Sequence, residues 1–238
     1  MRAIAYYLRK TRLLFPLLLL VCLPVAAQEA ADTSAAEESS SPQYRSWLTG
    51  PGPQEPHWTL EIKVSEFEPE LEEWETFYGE DRADQISFAV ARKFLRWAEV
   101  GAEIGYIDDE GVGQLPINDT LGGEVTFNMF PLHLYVLGRG IFFEDQWVIP
   151  YVGAGMTRAY YRQAIENQGS VRGKADGDHV RAGVQILLDW LDEGSAAGFE
   201  EESVENSYLV IEALSFSAEV DGIELGGDSM QVGLVFEF

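Results

Sequence analysis

From His57 onward the chain has no apolar run of membrane-helix length, yet apolar and polar residues alternate at every second position in segment after segment. That period belongs to β-strands, whose successive side chains point to opposite faces. "HWTLEIKVSEF" puts Trp58, Leu60, Ile62 and Val64 on one face and Thr59, Glu61, Lys63 and Ser65 on the other. "SMQVGLVFEF" does the same with Met230, Val232, Leu234, Phe236 and Phe238 against Gln231, Gly233, Val235 and Glu237. Between them lie "QISFAVARKF", "AEVGAEIGYI", "LGGEVTFNMFPLHLYVLGRGIFF", "WVIPYVGAGMTRAYY", "HVRAGVQILLDWL" and "NSYLVIEALSFSAEV". The second and third segments are joined by "LRWA", short enough to predict an antiparallel hairpin. Pro131 predicts a bulge or break in the fourth. Dividing there gives nine strands; one long bulged strand gives eight, and an even number lets both ends of a closed barrel lie on one side. Eight is the reading adopted, with "RQAIENQGSVRGKADGD" as the longest polar connection.

Alternation alone does not say which face is inside. A soluble barrel would carry dense Lys and Glu on its polar face. Here that face is mostly Gly, Ala, Ser, Thr and Gln with scattered charges of both signs, which suits a narrow lumen. Trp58, Tyr106, Trp147 and Trp190 fall near strand ends, where a membrane barrel places its interfacial aromatics. The expected fold is therefore an all-β, eight-stranded antiparallel up-and-down transmembrane barrel over residues 57–238. Glu61, Lys63, Glu103, Glu124, Arg139, Arg181, Glu212 and Glu237 are expected to form a lumenal charge network. The face of Arg139 depends on whether a bulge sits at Pro131.

Ahead of the barrel, Arg2, Arg9, Lys10 and Arg12 precede the apolar run "LLFPLLLLVCLPVAA". This reads as a secretory signal peptide over 1–27, followed by a flexible periplasmic leader over 28–56 rich in Ala, Glu, Ser, Pro and Gly. Cys22, the only cysteine, would leave with it, so no disulfide, thiolate metal site or cysteine nucleophile is expected. The whole chain has Asp+Glu 40 against Lys+Arg 16, a formal charge of -24. Such a surface repels nucleic acid. Divalent cations at the acidic loops "EPELEEWETFYGED", "DDEG" and "KADGDH" are more natural companions, although none has the spacing of a calcium loop.

The closing "GLVFEF" resembles the terminal signature of bacterial outer-membrane β-barrel proteins. "PYVGAG" is similar to the fifth-strand region of OmpW-type barrels. "LLDWLDEGSAAGFEEES", "SYLVIEAL" and "GGDSMQVGLVFEF" resemble the C-terminal third of an uncharacterised family of small outer-membrane barrels. The resemblance spans about residues 147–238 and continues by pattern alone over 57–146. It implies a Gram-negative outer membrane, with lipid and lipopolysaccharide as surroundings. It also implies recognition of Phe238, Phe236 and Leu234 by the barrel-assembly machinery. The expected role is structural, surface-interacting or envelope-maintaining, with no assigned reaction. An OmpW-like narrow pore or conduit for small hydrophobic solutes is the alternative.

A lipid A-modifying enzyme is a further alternative, needing a Ser nucleophile and a His base at the membrane rim. Only His179 falls near a predicted loop edge, with Asp176, Asp178 and Ser170 before it; His133 and His57 read as strand residues. No nucleophile–base spacing supports a catalytic site, and no cofactor or metal site is expected.

Overall fold

The computed structural model describes residues 55–71, 74–79, 81–114, 121–142, 146–166, 169–188, 204–220 and 223–238. The predicted signal peptide, most of the leader and Trp190 lie outside them. The strands are β1 (Trp58–Pro69), β2 (Ala83–Leu95), β3 (Ala98–Gln114), β4 (Leu121–Arg139), β5 (Val148–Ile165), β6 (Gly169–Leu187), β7 (Asn206–Val220) and β8 (Gly227–Glu237). A short helix, α1 (Trp74–Tyr78), lies between β1 and β2, and Ile223–Glu224 adds a two-residue pairing to the end of β7. Each strand pairs antiparallel with its sequence neighbour, and β8 also pairs with β1 through Ile62↔Leu234 and Val64↔Val232. The wall is closed, so no strand leaves an unpaired edge.

Side-chain alternation sorts the two faces. Leu60, Ile62, Val64, Phe88, Val90, Val100, Ile104, Leu134, Val136, Val152, Val180 and Val232 stand exposed on the outside, and Met156 is 72% exposed. Thr59, Glu61, Lys63, Ser87, Glu99, Glu103, Gln185 and Gln231 are buried inside. In water, a continuous apolar coat of this size would be far beyond the patch a monomer normally exposes. In hydrocarbon it costs nothing, and the closed ladder satisfies the backbone.

β4 runs through Pro131 as one strand, without the expected bulge. Pairing with β5 is continuous across Pro131↔Ala159, and β3 keeps one register on both sides, from Ile104↔Leu132 to Ile107↔Met129. Around the proline, Gly105 and Tyr106 drop out of the β3 ladder, as expected beside a residue with no N–H to donate. A Cβ on Gly105 would meet the Pro131 ring at 2.9 Å, so the glycine leaves room for the proline. The register of β4 against β3 shifts only before Glu124, so from Glu124 to Arg139 the strand keeps a single parity. Arg139 therefore lies inside and Glu124, of opposite parity, is exposed outside; the expectation that Glu124 joins the lumenal charges is corrected.

The polar connection expected between the fifth and sixth strands is also corrected. β5 extends to Ile165 and β6 begins at Gly169, with an unbroken register from Ile165↔Gly169 to Val148↔Ile186. This hairpin carries polar residues on both faces near its tip, so its strands lack the polarity contrast by which alternation is recognised.

Candidate functional site

The lumen is built in layers. At the end of the barrel opposite Trp58 and Phe238, α1 sits in the mouth with Trp74 and Tyr78 buried. Trp74 packs edge-on to Phe127, its ring centroid 4.8 Å away, and its Nε1 donates to Asp109 Oδ2 at 2.8 Å. Gln163 Nε2 donates to the Tyr78 hydroxyl at 2.9 Å. Burial pushes the Tyr78 phenol up to about 12, so it stays neutral. Beneath lies an apolar layer of Phe67, Ile107, Met129, Leu214 and Phe216, with Phe67 and Phe216 stacked at 5.4 Å. The acidic "EPELEEWETFYGED" segment thus supplies a packed cap from Trp74 and Tyr78, which its charge concealed.

Next comes a layer of buried charge. Lys63 Nζ reaches Glu103 Oε2 at 2.7 Å, Glu212 Oε1 at 2.8 Å and Glu61 Oε2 at 3.3 Å. Arg181 Nη1 lies 2.9 Å from Glu103 Oε2 and 3.6 Å from Glu212 Oε1, with its guanidinium 4.2 Å from the centroid of the Tyr135 ring. Tyr151 donates to Glu212 Oε2 at 2.8 Å. Buried carboxylates and cations of this kind persist only when paired, and here two cations answer three carboxylates.

Towards the Trp58 and Phe238 end a second cluster forms around Glu237. Its Oε1 is 2.5 Å from both Lys93 Nζ and Arg139 Nη1, while Asn206 Nδ2 donates to Oε2 at 3.1 Å. Arg139 Nη2 also donates to Gln185 Oε1 at 2.7 Å, and Thr59 Oγ1 donates to Glu99 Oε2 at 3.4 Å. Of the residues expected to share the lumen, Glu61, Lys63, Glu103, Arg181 and Glu212 meet in the first cluster, and Arg139 and Glu237 in the second. Lys93 and Glu99 were missed, although each shares parity with inward neighbours: Lys93 with Ala89 and Ala91, Glu99 with Glu103.

The glycines of "PYVGAG" make room for this layer. A Cβ on Gly153 would meet Arg181 Cγ at 3.0 Å, and one on Gly155 would lie 1.9 Å from the Leu134 carbonyl oxygen and 2.7 Å from His179 Cε1. Elsewhere inward tyrosines lie over glycines directly opposite on the neighbouring strand: Tyr135 on Gly101, Tyr151 on Gly183 and Tyr161 on Gly173. The small residues of the polar face are thus the complement of its large ones.

His179 is buried in the lumen and not at a loop edge. Its Nδ1 is 3.0 Å from Thr157 Oγ1, whose other contact is His133 Nδ1 at 2.8 Å. Asp176, Asp178 and Ser170 have the opposite parity and are exposed outside, so the residues considered for a rim catalytic site are not brought together. Among the described residues no group of three or more His, Cys, Asp or Glu side chains is arranged to hold a metal. On the outer wall Trp58, Tyr106 and Trp147 are exposed, as are Leu234 and Phe238 on β8 and just beyond it. Phe238 is tied to β1: its N–H donates to Trp58 O at 2.9 Å, and its carbonyl accepts from His57 N at 2.6 Å.

A closed eight-stranded antiparallel wall, apolar outside and charged within, is the fold of the small outer-membrane β-barrels. Among solved structures the chain is similar to Neisserial surface protein A, at 9% identity, covering 76% of this chain and 97% of that one with a TM-score of 0.51. It is likewise similar to the outer membrane protein OprG from Pseudomonas aeruginosa, at 9% identity, covering 77% and 96% respectively with a TM-score of 0.53. These are likenesses of fold. No protein-family model and no curated protein matches the chain.

Proposed function

We propose that the chain is an integral outer-membrane barrel, exported by a signal peptide cleaved after Ala27, whose lumen is closed and whose role is structural or surface-interacting. The observation that carries this reading is the cross-lumen ion network. Lys63 on β1, Glu103 on β3, Arg181 on β6 and Glu212 on β7 bridge the interior from well-separated parts of the wall. An eight-stranded interior is wide enough only for side chains. Purified protein should shift in gel mobility on boiling and give no steady single-channel conductance in planar bilayers. A sizeable, stable conductance would sink the closed-lumen reading; a heat-insensitive product that fractionates with soluble proteins would sink the barrel reading itself.

A second reading, a binding place for a small hydrophobic solute, is favoured by the apolar layer beneath α1. Saturable uptake of a short hydrocarbon by proteoliposomes, lost on opening that layer with Phe216→Asp, would favour it over the first.

Leu234, Phe236 and Phe238 are proposed to act in assembly. Deleting Phe238 should lower the amount of barrel assembled in cells severalfold. In refolding from urea the same deletion should cost only about 1–2 kcal/mol, because it removes one partly exposed side chain and the last backbone hydrogen bonds to His57 and Trp58 at the end of the ladder. Unchanged cellular levels would remove the assembly role.

A further inference from the structure

The β5–β6 hairpin has a charge distribution unlike the rest of this acidic chain. Arg158, Arg162, Arg172 and Lys174 all stand exposed on its outward face. Arg158 is taken by Asp176, with Nε 2.5 Å from Oδ1. Arg82 is paired in the same way with Glu66 and Arg96 with Glu55, while the exposed Arg92 lies over the Trp58 ring, 5.5 Å from its centroid. Arg162 and Arg172 instead face each other directly across the two strands, and Lys174 faces Tyr160 one position along that face. Among the described residues no ion pair joins Arg162, Arg172 or Lys174 to a carboxylate. Like charges directly opposite in an antiparallel pair repel, and an anion between them turns that repulsion into shared attraction.

Their position says which anion. Tyr106 and Phe130 touch on the outer wall with ring centroids 5.0 Å apart, Phe130 lies opposite Tyr160, and Tyr160 opposite Lys174. Such an aromatic row marks the boundary between hydrocarbon and headgroups. Arg162 and Arg172 occupy the next outward position beyond it, on the side away from Trp58 and Phe238. On the near side of the row the neutralised Arg158–Asp176 pair comes first, and beyond it Met156 on β5, opposite the exposed Asp178, and Val180 on β6 lead into the apolar coat. The hairpin tip carries Glu166, which is exposed, so a soluble polyanion arriving from the aqueous side meets a carboxylate first. Guanidinium groups bind phosphate through paired, charge-assisted hydrogen bonds.

We propose that Arg162, Arg172 and Lys174 form a wall site for the phosphorylated headgroup of an outer-leaflet lipid, whose acyl chains lie along Met156 and Val180. The site rests on the outer-membrane reading above, and the gel-mobility shift tests that reading separately.

The test uses the full chain refolded into nanodiscs of phosphatidylcholine containing a minor share of diphosphorylated lipid A, with retained lipid counted by native mass spectrometry. The unaltered protein should retain lipid A over phosphatidylcholine, and R162Q/R172Q/K174Q should weaken that retention about a hundredfold, roughly fivefold per cation. Both proteins should still shift on boiling. Equal retention of the two lipids by the unaltered protein, or undiminished retention by the triple variant, would overturn the site while leaving the barrel intact. A heparin fragment that binds the unaltered protein but not the variant, with no preference for lipid A, would assign these cations to a soluble polyanion and overturn the lipid site. Loss of the mobility shift in the unaltered protein would overturn the barrel reading and the site with it.

Discussion

Lys63→Met is expected to lower the unfolding free energy by about 3–5 kcal/mol, the cost of leaving buried charges unpaired. Lys63 is 1% exposed and holds Glu61, Glu103 and Glu212, and Arg181 is the only other cation touching that carboxylate group in the described lumen. Without the ammonium, Glu103 and Glu212 share one guanidinium and Glu61 loses the cation it pairs with, in a space that water does not readily fill. The effect is read from urea titrations of the refolded barrel in vesicles, followed by tryptophan fluorescence. Adding Glu61→Gln and Glu103→Gln to Lys63→Met should recover much of the loss, since neutral amides tolerate burial far better than orphaned carboxylates. A single-variant loss below about 1 kcal/mol would mean that the cluster is solvated and does not lock the lumen.

Gly155→Ala is expected to cost about 3 kcal/mol and to reduce the yield of heat-modifiable barrel, an overpacking effect at the upper end of its usual range. The added Cβ would lie 1.9 Å from the backbone oxygen of Leu134, so β4 and β5 must separate or twist to admit it. Flexible side chains can yield by rotation; a paired strand cannot. Gly138→Ala on the outward face is the control, because its Cβ would meet nothing nearer than 3.9 Å. If both variants refold with equal yield and equal urea midpoints, the steric reading of "PYVGAG" fails.

The alternation was legible because it records a local rule: successive strand residues face opposite ways wherever the strand runs. It assigned Trp58, Leu60, Ile62 and Val64 to one face and Glu61 and Lys63 to the other, and the choice of small and charged residues on the second face pointed inward. Glu124 shows where a local rule ends. Its face turned on whether one bulge lay seven residues away, and the absence of that bulge is a property of pairing with β3 and β5. The β5–β6 hairpin and α1 were hidden for a related reason: polar residues on both faces erase the contrast that alternation needs, and the acidic surroundings of Trp74 and Tyr78 masked their burial.

By itself, then, the sequence determined which residues share a face along each regular stretch of strand, because side-chain direction follows from backbone stereochemistry over two residues; across Pro131 it left the face of Glu124 to the pairing. Only the tertiary structure decided who meets whom. Lys63 and Glu212 are 149 positions apart, and their contact exists because closure through β8 sets the register around the whole wall. The same closure collects Arg139, Lys93 and Glu237 into one cluster. Register is a sum of every strand offset around the barrel, and no short stretch of chain contains that sum.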